Sequence, residues 1–250
     1  MSKEHYIWID FWRDWKNPNT PAPTLDNRLK TKVVQEGWPK YRYSFMVKNT
    51  LRSIPESNVL IYVEPHYLAE VKKFILQTPL PKNATIITTG VFKYLAEKGF
   101  DSDYLYLTRL DSDDLLHKDA PAEILEEPTI YRTLIYQVGY VFDVPTKRVA
   151  HYCHPSPPFY TDIFTRDEVH SGLMPKRQAH GQGLGGMKNL LSSGKFVVMC
   201  HSNDMQCTTN FELCTQIGEK YKYLANGSLP ELPDLELKDF GGPISAQDSD

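Results

Sequence analysis

Long apolar runs are missing from this 250-residue chain. Nothing approaches the roughly 18 consecutive apolar residues that a membrane-spanning helix needs. The longest clean stretch, Phe196 to Cys200, is the length of a strand. A surplus of positive charge is missing too. Lys and Arg number 28 against 31 Asp and Glu, for a formal net charge of -3. That balance argues against binding nucleic acid through bulk charge and leaves only a local basic groove open. The start of the chain, Met1 to His5, has no signal-peptide apolar core. The expectation is therefore a protein of the cytosol, either free or peripheral to a membrane face.

Cysteine is scarce. Of the four, Cys153, Cys200, Cys207 and Cys214, no two form a CxxC pair, so a zinc ribbon and a thioredoxin motif are excluded. The last three recur every seven residues, with His201 beside the first. Two readings stand: a metal cluster, or a buried strand cysteine followed by helix-face cysteines in a reducing compartment. The glycine-rich run His180 to Gly186 is not a Walker A loop, because no Gly-Lys-Ser/Thr follows at the required spacing. It reads either as a loop closing over a ligand or as plain surface.

What is present is alternation. Tyr6 to Ile9 reads as a strand ending at Asp10, and Asn17 to Pro23 as a loop. Leu25 to Ile54 has helical character, broken at Gly37-Trp38-Pro39. Asn58 to Val63 is an apolar run of the kind found in strands covered on both faces. Tyr67 to Gln77 has helical spacing, Ala84 to Thr88 reads as a strand, and Val91 to Lys98 as a helix capped by Gly99. Tyr104 to Leu110 is a further strand. Such an order predicts βαβ units and a parallel sheet, with the carboxyl ends of the strands along one edge.

The second half predicts strands over Thr129–Phe142 and Arg148–Cys153, joined across Val144 to Lys147, then a proline-rich loop from His154 to Pro158. A buried strand over Phe196–Cys200 and a helix opened by a Thr209–Glu212 capping box follow. One domain over residues 1–228 is expected, with halves meeting near residue 115. Residues 229–250 are acidic and proline-containing and read as a loosely ordered tail.

The last strand of the first half runs straight into Asp111-Ser112-Asp113-Asp114. Like charges this close raise one another's pKa unless something neutralises them, and a divalent cation is a natural neutraliser. Carboxylate oxygens suit Mg2+ or Mn2+. In an extended segment Asp111 and Asp113 point to one side, where a single ion could meet both, while Asp114 points away toward backbone or a basic side chain. The other reading is a polar turn. An EF-hand is a poor fit, since the loop lacks its sixth-position glycine and twelfth-position glutamate.

Leu107-Thr108-Arg109-Leu110-Asp111-Ser112-Asp113-Asp114, at the end of such a half, resembles the DxD segment of GT-A glycosyltransferases. Its wording is similar to that of the putative rhamnosyl transferase family, and His154 to Thr161 resembles the segment that follows in that family. The resemblance implies a GT-A-like, Rossmann-like α/β fold with a mixed, mainly parallel sheet flanked by helices. It implies a metal-dependent glycosyltransferase moving a hexosyl or deoxyhexosyl group from a UDP- or dTDP-linked nucleotide sugar to a glycan or small acceptor. Asp111 would face the ribose or the metal, Asp113 would coordinate Mn2+ or Mg2+, and a late histidine after a buried strand, His201, would complete the site. Asp10 would contact the nucleotide, and Arg109 would pair with Asp114 or a phosphate. An inverting enzyme needs a base, for which Asp167 and Glu168 are the candidates. Two alternatives remain: a metal-dependent phosphoesterase, and a non-catalytic carbohydrate-binding protein of the same fold.

Overall fold

The computed structural model describes residues 1–12, 38–155, 159–173, 188–201 and 211–244. The readings of an Asn17–Pro23 loop, of helix before residue 38, of Ser156 to Pro158, of the His180–Gly186 run, of Cys207 and of the Thr209 cap lie outside these residues.

Among the described residues, eleven strands form two sheets. In chain order the strands are β1 (Lys3–Trp12), β2 (Asn58–Val63), β3 (Ala84–Ile87), β4 (Tyr104–Leu110), β5 (Leu115–Leu116), β6 (Thr133–Ile135), β7 (Val138–Asp143), β8 (Arg148–Cys153), β9 (Tyr160–Thr165), β10 (Lys188–Leu190) and β11 (Phe196–Cys200). The helices are α1 (Trp38–Phe45), which continues through a π-helical stretch Met46–Thr50 into α2 (Leu51–Ser53), then α3 (Leu68–Gln77), α4 (Val91–Lys98), α5 (Ala120–Glu126), α6 (Arg166–His170) and α7 (Phe211–Lys220).

The large sheet has seven strands in the order β10-β6-β9-β4-β1-β2-β3. β1 pairs in parallel with both β2 and β4, and β2 with β3. Only β9 runs against its neighbours β4 and β6. The expected mixed, mainly parallel α/β fold is thus the observed one. β4 is buried on both faces, with Leu105, Tyr106, Leu107 and Leu110 at 0% exposure, as its continuous apolar run requires. Gly99 ends α4 in the left-handed conformation with φ of 83°, which a side chain would disfavour.

The order of crossovers positions the site. After β1 the chain steps to β2 and β3 on one side, then returns to lay β4 on the other side of β1. The crevice between the carboxyl ends of β1 and β4 is therefore a topological switch point, where open α/β sheets receive ligands.

Several expectations need correction. The strand predicted over Thr129–Phe142 is two: β6 belongs to the large sheet and β7 to the small one, because the chain crosses between sheets at Tyr136-Gln137. The β7–β8 hairpin is as expected. A short strand that the sequence reading did not foresee, β10, adds to the edge of the large sheet just after the glycine-rich run. β1 runs past Asp10 to Trp12, with a register shift between those two residues. The C-terminal segment is not loose where it is described. Leu237, Phe240 and Ile244 are buried in a cluster with Phe45, Leu115 and Met199. Apolar side chains at irregular spacing can bury without any periodic element, so periodicity alone did not mark them.

The small sheet has the order β5-β11-β7-β8. Gly139 lies on β7 against Phe196, where a Cβ would sit 2.7 Å from the Phe196 carbonyl oxygen, so no larger residue fits that crossing.

Candidate functional site

The acidic turn Asp111–Asp114 is the link by which the chain leaves the large sheet at β4 and enters the small sheet at β5. The turn closes with Asp114 N–H donating to the Asp111 carbonyl at 3.2 Å. Pairing of Ile9 with Leu110 puts Asp10 and Asp111 at the same level, each one residue beyond. Asp10, two residues before the end of β1, and Asp111, just past the end of β4, therefore stand level at the switch-point edge.

The three carboxylates are treated differently. Asp111 is the most open, and its Oδ1 accepts from Arg109 Nη2 at 2.6 Å. Arg109 thus pairs with Asp111, the turn folding Asp111 back toward the preceding strand. Asp113 is buried at 6% exposure, and its Oδ2 accepts from Arg42 Nη1 at 2.6 Å. Arg42 also donates to Ser112 Oγ through Nη2 at 2.6 Å and Nε at 3.2 Å. Asp114 is buried at 4% exposure, and its Oδ1 accepts from the Met199 backbone N–H at 2.9 Å, tying the turn to β11. Burial holds the Asp114 carboxyl well above the ordinary carboxylate range; the charges of Asp113 and Asp111 add to this, while the Met199 N–H and Arg42 oppose it.

The like-charge repulsion anticipated for this cluster is therefore relieved by two guanidiniums. An extended segment pointing Asp111 and Asp113 to one ion is not what forms, because the turn directs them to different arginines.

The chain does bring His201 to this turn. His201 follows β11 and is buried at 7% exposure, with Nε2 3.4 Å from Asp113 Oδ2. Its Nδ1 lies 2.7 Å from Tyr41 Oη. Tyr41 and Phe45, one helical turn apart on α1, meet the imidazole nearly at right angles, at 88° and 83° and at centroid distances of 5.4 and 4.7 Å. A carboxylate and an imidazole converging in this way are a donor pair that suits Mn2+. Asp111 would complete a set of three by exchanging Arg109 for the ion. As the side chains stand, no group of three or more His, Cys, Asp or Glu residues is gathered for a metal among the described residues. That includes Cys200 and Cys214, two buried thiols.

Asp167 and Glu168 are not brought to the site. Thr165 pairs with Tyr104, so α6 begins at the amino edge of β4. Seven residues of strand, roughly 20 Å at about 3.3 Å per residue, separate it from Asp111. Glu168 is the third residue of a capping box, in which Thr165 N–H donates to Glu168 Oε2 at 2.8 Å. Arg132 holds the same carboxylate, and its hydrogen bonds keep the Glu168 carboxyl below its usual range. Asp167 is exposed on the first turn of α6.

Arg42, Tyr41, Phe45 and Ser112 escaped the sequence reading. The i, i+4 spacing of Tyr41 and Phe45 was the one visible signal, and nothing local says which later residue such a pair will meet.

No protein-family model matches the chain. No curated protein matches it either. Among solved structures, the chain is similar to an inositol-1-phosphate CTP transferase from T. maritima at 13% identity and a TM-score of 0.39, over 88% of this chain and 98% of that one. It is similar to a 4-diphosphocytidyl-2C-methyl-D-erythritol synthase from Anaerococcus prevotii at 10% identity and a TM-score of 0.36, over 89% and 96%. A Mycobacterium tuberculosis protein in complex with manganese is similar at 10% identity and a TM-score of 0.32, over 88% and 99%.

Proposed function

We propose that the chain is a metal-dependent glycosyltransferase that takes a nucleotide-sugar donor in the crevice between β1 and β4. The observation that carries this reading is the meeting of His201, after β11, with Asp113, after β4, 3.4 Å apart at the switch-point edge. Asp113 and His201 would hold the ion, with Asp111 as a further oxygen donor. A divalent cation there supplies Lewis-acid stabilisation of the charge that grows on the nucleoside diphosphate as it leaves. The protein's own residues prepare the place. Arg42 fixes the Asp113 carboxylate, and the bond from Met199 anchors the turn through Asp114. Asp10, level with Asp111, would face the nucleotide, and Arg109, released from Asp111, would meet a phosphate. Asp167 and Glu168 take no part in this chemistry and serve α6 instead.

The test is a thermal-shift panel of UDP and dTDP sugars with and without Mn2+, followed by product analysis. Joint stabilisation by Mn2+ and nucleotide, with sugar transfer to an acceptor and release of the nucleoside diphosphate, supports the reading. Release of inorganic phosphate alone would make the protein a phosphoesterase. Pyrophosphate release from a nucleoside triphosphate would make it a nucleotidyltransferase. Stabilisation by glycans alone would make it a binding protein.

A further inference from the structure

Two histidines hold the C-terminal segment, and they do so with opposite polarity. His151 on β8 lies with Nε2 2.7 Å from the Pro230 carbonyl oxygen, beside the Tyr140 hydroxyl, which donates to the Glu231 carbonyl at 2.6 Å. A carbonyl only accepts, so His151 Nε2 carries a proton. Protonating the other nitrogen of that ring leaves the bond intact. Further along, Phe240 meets the His117 ring edge-on at 5.2 Å. The Lys118 N–H donates to the Asp239 carbonyl at 2.9 Å, and Lys118 Nζ meets Asp239 Oδ1 at 2.6 Å. Arg52, on α2, donates to the Gly241 carbonyl at 2.7 Å.

At His117 the imidazole is the acceptor. The Asp119 N–H at 3.1 Å and Lys195 Nζ at 3.4 Å converge on its Nδ1, and neither of those groups can accept. The ring is therefore neutral, with its own N–H on Nε2. A proton added to Nδ1 displaces both bonds and sets a second positive charge beside Lys195, with Lys118 also near. Two carboxylates oppose this. Asp119 Oδ2 lies 3.6 Å from Nδ1, and Asp239 acts from the C-terminal segment. Asp119 is 62% exposed, however, and Asp239 is already paired with Lys118. Burial of a side chain only 13% exposed, joined by Lys195, prevails and holds the His117 pKa below its ordinary 6.5.

We propose that His117 is a pH-sensitive clasp on the C-terminal segment, closed while the ring is neutral and opened when it takes up a proton. A charged ring regains water only by leaving its contact with Phe240. His151 keeps its hold further back, so the release is confined to the stretch around Phe240. Phe240 shares a cluster with Phe45 of α1 and with Met199, whose N–H holds Asp114. Opening the clasp thus loosens the packing behind the acidic turn, and a fall in pH reaches that turn through the C-terminal segment.

The test uses the full chain without ligand. Hydrogen exchange of residues 237–244 is followed by mass spectrometry at pH 7.5 and pH 5.5, each rate divided by that of the free amide at the same pH. The amides of β4 report global opening. In wild type the protection of the segment relative to β4 is expected to fall several-fold at the lower pH, within the limit of about 10-fold per pH unit below 6.5 that uptake of one proton allows. His117→Asn sets an amide oxygen near the place of Nδ1, where it accepts but does not titrate. It is expected to hold the segment equally at both pH values. Equal protection of wild type at both values, or a fall that His117→Asn shares, overturns the proposal. If His117→Asn fails to fold, the wild-type ring decides: nitrogen chemical shifts showing His117 neutral at pH 6.5 with its proton on Nε2 support the clasp, and a ring that titrates at or above 6.5, or carries its proton on Nδ1, overturns it.

Discussion

Arg132 grips Glu168 with two parallel N–H···O bonds, at 3.0 and 2.7 Å, on the edge of the sheet away from the acidic turn. The same carboxylate closes the capping box of α6. Glu168→Gln keeps an acceptor for the capping box, where glutamine serves as well, and gives up only the charge toward Arg132, so it is expected to lower stability by about 0.5 kcal/mol and to leave turnover and its pH profile unchanged. Denaturant unfolding beside steady-state kinetics checks this. A large loss of turnover with normal stability would return Glu168 to the chemistry.

Asp113 has the opposite character, since a nearly buried carboxylate meets both Arg42 and His201. Asp113→Asn keeps an acceptor for Arg42 but loses the charge. It is expected to remove any Mn2+-dependent rise in melting temperature and to lower turnover by at least about 100-fold. Calorimetry with and without Mn2+, read together with product formation, decides it.

His5 lies buried in the large sheet, with Nε2 2.7 Å from Thr108 Oγ1. Burial pulls its pKa from 6.5 down to about 4. The unfolded chain binds this proton below pH 6.5 and the folded chain does not, so stability is complete above 6.5 and falls as pH drops toward 4. The loss across that window is of order 3 kcal/mol. Urea unfolding at a series of pH values is expected to show the decline, and His5→Gln to flatten it.

Phe240 packs edge-on against His117 and Tyr140, at centroid distances of 5.2 and 6.2 Å, and is 3% exposed. Phe240→Ala is expected to cost about 3 kcal/mol, the range for emptying a buried aromatic site. A thermal melt that matches wild type would mean that the C-terminal segment is not part of the core.

The sequence by itself determined the sheet-forming half and the position of the acidic segment. Continuous apolar runs at Asn58–Val63 and Tyr104–Leu110 can only be satisfied by strands covered on both faces, and helical spacing between strands forces crossovers. An aspartate run directly after such a strand must lie at its carboxyl end. These are local properties, set by neighbours a few residues apart. Tertiary structure alone decided the partners. Arg42 and Arg109 neutralise the carboxylates, His201 reaches Asp113 through the small sheet, Glu168 is spent on a cap, and Leu237, Phe240 and Ile244 complete a core. Such pairings depend on strand register and on which elements cross in space, and a charge or a ring carries no local signal of what it will meet.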